Sequence, residues 1–372
     1  MTELLFITSL FVSLLLGQFG RVELFEKQIN GYIQDPIIFV FVVYLITRYG
    51  VSPLKKILKN NYAQFLSGCV IFSYLLSFGE YSIENNAIAF LYFIRISLYL
   101  LLGIYLRHLY KKKKDLLQKT HRVIFLFSIL LILVSVIQYL FYSNFWGLYA
   151  FGWDPHLFRM SATFIDVYIA AALYGILALY WYRKGNLIFA VIFVACLVLT
   201  FSRSSYVAFL LSIVFFLIIS KQWKHLFIIL FTFITFVLIA PKPFGEGVSL
   251  LRTASVNSRI KDYQIGITMA AKKPLFGYGY NRIRFGKESL NLVKADDRSH
   301  SVSSFHSSFL IIIVTTGIVG FVAFLLFLVK FAVAHKSLFP ILFYLGIMSL
   351  FDNVLLHVFI LLPLVIIGSD EN

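Results

Sequence analysis

Charge is scarce in this sequence: Asp, Glu, Lys and Arg make up only 13% of its 372 residues, too few to cover the surface of a soluble domain of that size. Cysteine is nearly missing. The two present, Cys69 and Cys196, each lie inside an apolar run, which excludes a disulfide framework and a Cys-based metal site. Segments of about 10 residues with alternating polarity are absent too, and with them the transmembrane β-barrel. No basic stretch precedes the first apolar run, Leu4 to Leu16, and no small-residue cleavage site follows it, so it reads as a retained helix rather than a leader.

Hydrophobic residues account for 60% of the chain and mean hydropathy is +0.86. They come in unbroken runs about as long as a bilayer-crossing helix requires. Twelve helices are predicted: Leu4 to Gly17, Pro36 to Arg48, Tyr62 to Phe78, Ala87 to Leu109, Val123 to Tyr142, Thr163 to Tyr182, Leu187 to Phe201, Tyr206 to Ser220, Leu226 to Ala240, Ser308 to Ala332, Leu338 to Leu350 and Val354 to Ile367. The fold class is therefore all-α, a polytopic integral membrane protein. Its expected organisation is nine helices over residues 1–240, a large polar loop over 241–305, and three helices over 306–372.

The net charge of +16 sits mostly in short basic blocks between apolar runs, Lys111 to Lys114 among them, which is the pattern of a membrane topology signal and not of nucleic-acid binding. With both termini cytoplasmic, the inside loops and helix ends carry seventeen Lys and Arg. The short outside loops hold only Arg21, Lys27, Arg159 and Arg203. The same orientation puts the large loop outside. That loop has eleven basic residues against five acids, and an anionic ligand supplied from the membrane is the simplest reason for the surplus. Within it, Ser258 to Ala271 places Ile260, Tyr263, Ile267 and Ala270 at helical spacing, which predicts a helix near the membrane surface.

Several residues have the chemistry for a site. Arg203, in Thr200-Phe201-Ser202-Arg203-Ser204-Ser205, stands at a membrane boundary between hydroxyls. It suits two-pronged binding of a phosphate, or snorkelling to headgroups with Ser202 and Ser204 as helix caps. Arg259 opens the loop helix with Asp262 one turn along, and is either a ligand residue or half of a surface ion pair. Lys272-Lys273-Pro274-Leu275-Phe276-Gly277-Tyr278-Gly279-Tyr280 ends that helix in a glycine-rich turn whose backbone can approach a ligand closely. Arg282 fills the third glycine position, so the turn is not a dinucleotide fingerprint. His306 precedes the tenth helix, as a general base or as a helix-start histidine bonded to backbone. No acid or second histidine lies at ligand spacing from it, so neither a metal nor a cofactor is expected. The roles of Arg95, Asp166 and Asp352 stay open.

The order of these pieces resembles the O-antigen ligase and polymerase superfamily of bacterial surface polysaccharide assembly. Leu199-Thr200-Phe201-Ser202-Arg203-Ser204 ends a helix, Ser258-Arg259 leads through Lys273-Pro274-Leu275-Phe276-Gly277-Tyr278-Gly279, and His306-Ser307-Ser308-Phe309-Leu310 runs into Thr316-Gly317-Ile318-Val319-Gly320. Arg159-Met160-Ser161-Ala162-Thr163-Phe164 is similar to the family's upstream arginine element. In many members an asparagine follows the histidine where this chain has Ser307. The resemblance implies a GT-C-like fold in the inner membrane, with an extracytoplasmic active site and metal-independent glycosyl transfer. The donor and acceptor glycans would be carried on undecaprenyl pyrophosphate, with a chain-length regulator as a candidate partner. It makes Arg203 and Arg259 pyrophosphate ligands and places His306 nearest the acceptor hydroxyl. Arg159, Ser202, Ser204, Asp262, Lys273, Gly277, Tyr278 and Gly279 are then expected around the substrate. Repeat-unit polymerase is the first reading, on the chain's modest length, and ligase to lipid A-core the second. A flippase or transporter fits less well, because the chain shows no internal repeat.

Overall fold

The computed structural model describes residues 1–24, 29–57, 60–149, 157–241, 248–250, 253–293 and 300–370. Several charges of the large loop (Lys242, Glu246, Arg252, Lys294, Asp296, Asp297, Arg298) lie outside the described residues, as do Lys27 and Lys59. The chain is 78% helical with almost no sheet, which agrees with an all-α membrane protein. The helices are α1 Thr2–Leu16, α2 Gln34–Tyr49, α3 Ser52–Ile57, α4 Asn61–Leu76, α5 Ile83–Lys112, α6 Lys114–Phe141, α7 Trp146–Tyr149, α8 Val167–Arg183, α9 Leu187–Leu199, α10 Arg203–Ile219, α11 Trp223–Ile239, α12 Ala254–Lys272, α13 Ile283–Ser289, α14 His300–Ser303, α15 Ser308–Ala334, α16 Phe339–Met348 and α17 Val358–Gly368. Each of the twelve predicted runs falls on one of these. Among the described residues, five helical stretches are long and apolar enough to cross a membrane: α1, α4, α5, α6 and α15, the first two lengthened by short 3-10 turns at their C-terminal ends.

Packing is built around α8, a small-residue helix (Ala170 to Ala172, Gly175, Ala178) that is buried along nearly its whole length. Small residues let neighbouring helices approach closely where lipid offers no hydrophobic drive to associate. Tyr344 of α16 exploits this: a Cβ on Gly175 would fall 2.3 Å from its ring. Its hydroxyl meets Ala171 O at 2.8 Å and Ser205 Oγ of α10 at 2.7 Å, so one buried tyrosine ties three helices together. Conversely, Phe227, Ile228, Phe231, Leu238 and Ile239 of α11 project outward, as lipid-facing side chains do.

Four features depart from the sequence expectations. A small antiparallel pair, Arg21–Leu24 with Ile29–Tyr32, stands between α1 and α2. Arg95, which a helix in the bilayer must pair or hydrate, holds it: the guanidinium bonds Asn30 O and pairs with Asp35 at 2.9 Å. Next, α8 starts at Val167 and not Thr163, because Ile165 takes a left-handed conformation (φ 57°) that stops the preceding 3-10 turn. The third concerns α12, whose inward side is Arg259, Asp262, Tyr263, Gly266, Met269 and Ala270, with Gly266 and Met269 buried and the others half-buried, while Ile260 and Ile267 are exposed. The polar members find partners inward, and Gly266 makes room for Leu310, to which a Cβ would come within 2.6 Å.

The fourth is a break in α15. Gly317 is non-helical (φ 67°, ψ −172°), so Val314 O and Thr315 O lose the amides of Ile318 and Val319. The glycine turn after α12 splices into that gap. Tyr278 N and Gly279 N donate to Val314 O and Thr315 O at 3.0 and 2.8 Å, and Ile318 N and Val319 N donate to Pro274 O and Leu275 O at 2.8 and 3.3 Å. Ser73 of α4 adds a bond to Thr315 O at 2.7 Å. Orphan backbone groups at membrane depth cost on the order of several kcal/mol each, which explains why the break and the turn occur together.

Candidate functional site

Arg203 is the first residue of α10, and the turn that presents it is shaped from outside. Phe201 is left-handed (φ 51°), which reverses the chain after α9. The carbonyls left without amides at the end of α9 are met by Arg159, whose Nε donates to Thr200 O at 2.7 Å and Nη2 to Phe201 O at 3.2 Å, and by Met160 N, which donates to Leu199 O at 2.9 Å. A cation on helix C-terminal carbonyls is favourable both as hydrogen bonding and against the helix dipole. Arg159 is buried. Its described bonds build the Arg203 turn.

Asp352, between α16 and α17, is the connector that the sequence left open. It is only 2% exposed. One carboxylate oxygen accepts Arg259 Nη2 at 2.7 Å, and the other accepts the Ser204 hydroxyl, which lies 3.2 Å from Ser202 Oγ. A buried carboxylate needs a partner of this kind. Through Asp352, the loop helix α12 is joined to the start of α10. Arg203 and Arg259 are close enough for their charges to act on one another, and Arg203 also donates to Leu250 O at 3.1 Å. Arg259 is a quarter exposed, yet its Nε–H is buried with no partner among the described residues.

The second half of the site is a carboxylate and an imidazole. Asp262 Oδ2 accepts both the backbone amide of His306 at 2.9 Å and its Nδ1 at 2.5 Å. This fixes the ring's tautomer and leaves Nε2 as the nitrogen that can take up a proton, on a side chain 41% exposed. The bond from Asp262 raises the affinity of His306 for its proton, with burial opposing. Burial likewise works to raise the Asp262 carboxyl, but the His306 hydrogen bonds outweigh it and hold Asp262 below the ordinary carboxylate range. Ser307, where many family members have asparagine, caps α15 by accepting from Leu310 N and reaches Ser349 O at 2.9 Å. Ser308 bonds Asn353 at 3.1 Å. His306 is thereby tied to the same α16–α17 turn that carries Asp352.

The glycine turn stands apart. The amides of Tyr278 and Gly279 are taken up by α15, a Cβ on Gly277 would lie 2.5 Å from Val314 O, and Tyr278 is buried in a cluster with Met269, Phe305 and Val314. Lys273 pairs with Glu80 and lies over the Tyr278 ring. The sequence predicts that this turn approaches a ligand closely; among the described residues, the close approach at Gly277 and Gly279 is to the broken helix α15. Arg282 had no role in the sequence reading. It is fully buried, bonds Asn86 Oδ1 and Tyr74 O, and lies 4.2 Å from the Tyr74 ring centroid. Its only sequence signal was a cation in an aromatic-rich segment.

Together these features define an α-helical membrane protein with two arginines, a carboxylate-bound histidine and clustered hydroxyls gathered at one end of its bundle. Residues 187–325 match the O-antigen ligase family model, which supports the O-antigen ligase/polymerase superfamily. The matched span runs from the start of α9 into α15 and so includes Arg203, Arg259, Asp262 and His306, but neither Arg159 nor Asp352. Members of this family are glycosyltransferase-like enzymes of the inner membrane. No curated protein matches the chain.

Proposed function

We propose that this chain is a polysaccharide polymerase of the inner membrane, joining repeat units that are carried on undecaprenyl pyrophosphate. The twelve apolar helices form the membrane-embedded bundle, both termini face the cytoplasm, and the α12–α14 segment covers the site on the extracytoplasmic side. Arg203 and Arg259 bind the donor's pyrophosphate. The bond from the anomeric carbon to the pyrophosphate oxygen breaks, the acceptor hydroxyl oxygen bonds to that carbon, and the hydroxyl proton passes to His306 Nε2. Undecaprenyl pyrophosphate leaves with the bonding electron pair. Its negative charge grows as the bond breaks, so prearranged guanidinium groups favour the transition state over the ground state and serve in place of a metal ion. Ser202 and Ser204 line the anion's approach, and Asp262 orients the base.

The observation that carries this reading is Arg259: a partly exposed guanidinium, anchored by Asp352 beside Arg203, with a buried donor that an anionic ligand would satisfy. The second reading, transfer of finished glycan to lipid A-core, draws support from the description of the matched family as O-antigen ligase. A deletion strain separates the two. Lipid A-core capped with a single repeat unit supports the polymerase. Bare core with accumulating polyprenyl-linked polymer overturns it in favour of the ligase. Unchanged surface glycan would remove both.

A further inference from the structure

We propose that Lys287, a residue of the α13 helix outside the reacting centre, is a positioning residue that sets the geometry and the proton affinity of His306. The inference rests on the base role given to His306 above. Lys287 is 1% exposed, an uncommon place for an ammonium group. Its Nζ donates to Ser304 O at 2.9 Å and stands 4.1 Å from the Phe305 ring centroid. It therefore grips the two residues immediately before His306, while Asp262 grips the His306 amide and ring. The histidine is held from both sides by groups of opposite charge.

The two anchors are also electrically linked. Burial pushes the Lys287 ammonium down to about 8, with Asp262 pulling it back up, and its positive charge in turn lowers Asp262. Other charged or titratable groups facing this cluster are Arg259 on α12, Asp352 in the α16–α17 turn and Tyr278 in the glycine turn; on α13 itself Arg284 pairs with Glu288 at 3.0 Å. Asp262 raises the proton affinity of His306, which works against a general base. A second cation on the same carboxylate weakens that pull. Below about pH 8, where Lys287 is charged, His306 thus releases its proton more readily than a lone Asp262 partner would allow.

The test reads His306 directly, without activity. The full-length chain in lipid nanodiscs is treated with diethyl pyrocarbonate across a pH series, and modification of the His306 peptide is followed by mass spectrometry, since only neutral imidazole reacts. With Lys287→Met and Lys287→Gln the midpoint is expected to rise by about one pH unit, while Lys287→Arg stays near the parent value. Superimposable curves for Met, Gln and parent overturn the proposal, as does an equal shift in Lys287→Arg, which would make the effect one of packing. The function is tested separately by His306→Ala, whose full activity would sink the base role while leaving the titration result intact.

Discussion

Arg259 and Arg282 belong to the same polar segment, and each leaves a buried Nε without a partner among the described residues. Their surroundings differ. Arg259 is a quarter exposed, is bonded by a single described carboxylate, and neighbours a second arginine. Arg282 is fully buried against Tyr74, Tyr81 and Asn86. An unpartnered donor therefore does not identify a site by itself. Access and a second positive charge are what set Arg259, the proposed pyrophosphate ligand, apart from Arg282, which holds the fold.

The comparison breaks first under substitution of the two residues. Arg259→Ala, like Arg203→Ala and His306→Ala, should lower glycan product by about 100-fold or more at unchanged protein level. Arg282→Ala should instead lower the amount of folded protein, losing about 3 kcal/mol through its unpaired partners, with product per folded molecule retained. Quantified membrane fractions with glycan profiling distinguish these; activity loss in Arg282→Ala at full protein level would erase the distinction. Next in size is Gly317→Ala, whose Cβ would lie 2.2 Å from Leu275 O at φ 67°. It should cost about 1–3 kcal/mol and lower the thermal midpoint of the detergent-solubilised chain.

A smaller effect sharpens the Asp262–His306 contact. Asp262 raises the proton affinity of His306, and under the proposed base role only the neutral ring is active, so activity should fall as His306 becomes protonated at lower pH. Asp262→Asn removes the pull and should move the acid limb of the rate–pH profile to lower pH by about one unit, with a reduced maximum. A limb that stays in place would detach His306 from the rate. The smallest effect is expected at Lys273, whose pairing with Glu80 is partly solvated: Lys273→Met should change stability by about 0.5 kcal/mol or less and activity by less than about twofold.

These contrasts also show what could be read from the sequence. The helices were legible because long apolar runs at a bilayer's length scale leave few alternatives. Arg203, Arg259 and His306 were legible as candidates because charged residues at helix ends are costly without a partner. What could not be read were the partners. The role of Asp352 stayed open because its partners, Arg259 of α12 and Ser204 of α10, lie far away in the chain. The bonds of Arg159 to Thr200 O and Phe201 O could not be foreseen, because the left-handed Phe201 leaves no glycine as a signal of the turn. Gly277 and Gly279 read as a close approach to a ligand, and the approach to α15 was hidden because the complementary break at Gly317 lies in a helix that otherwise reads as continuous. Burial of polar groups is settled by long-range pairing, and single-sequence periodicity does not contain it.

The central claim is that Arg203 and Arg259 hold a pyrophosphate while His306 acts on the acceptor. It is tested most directly by measuring undecaprenyl pyrophosphate binding to the full-length chain in nanodiscs. Arg203→Ala and Arg259→Ala are expected to weaken binding by about tenfold or more, with His306→Ala close to the parent. Parent-like affinity in both arginine variants would contradict the account.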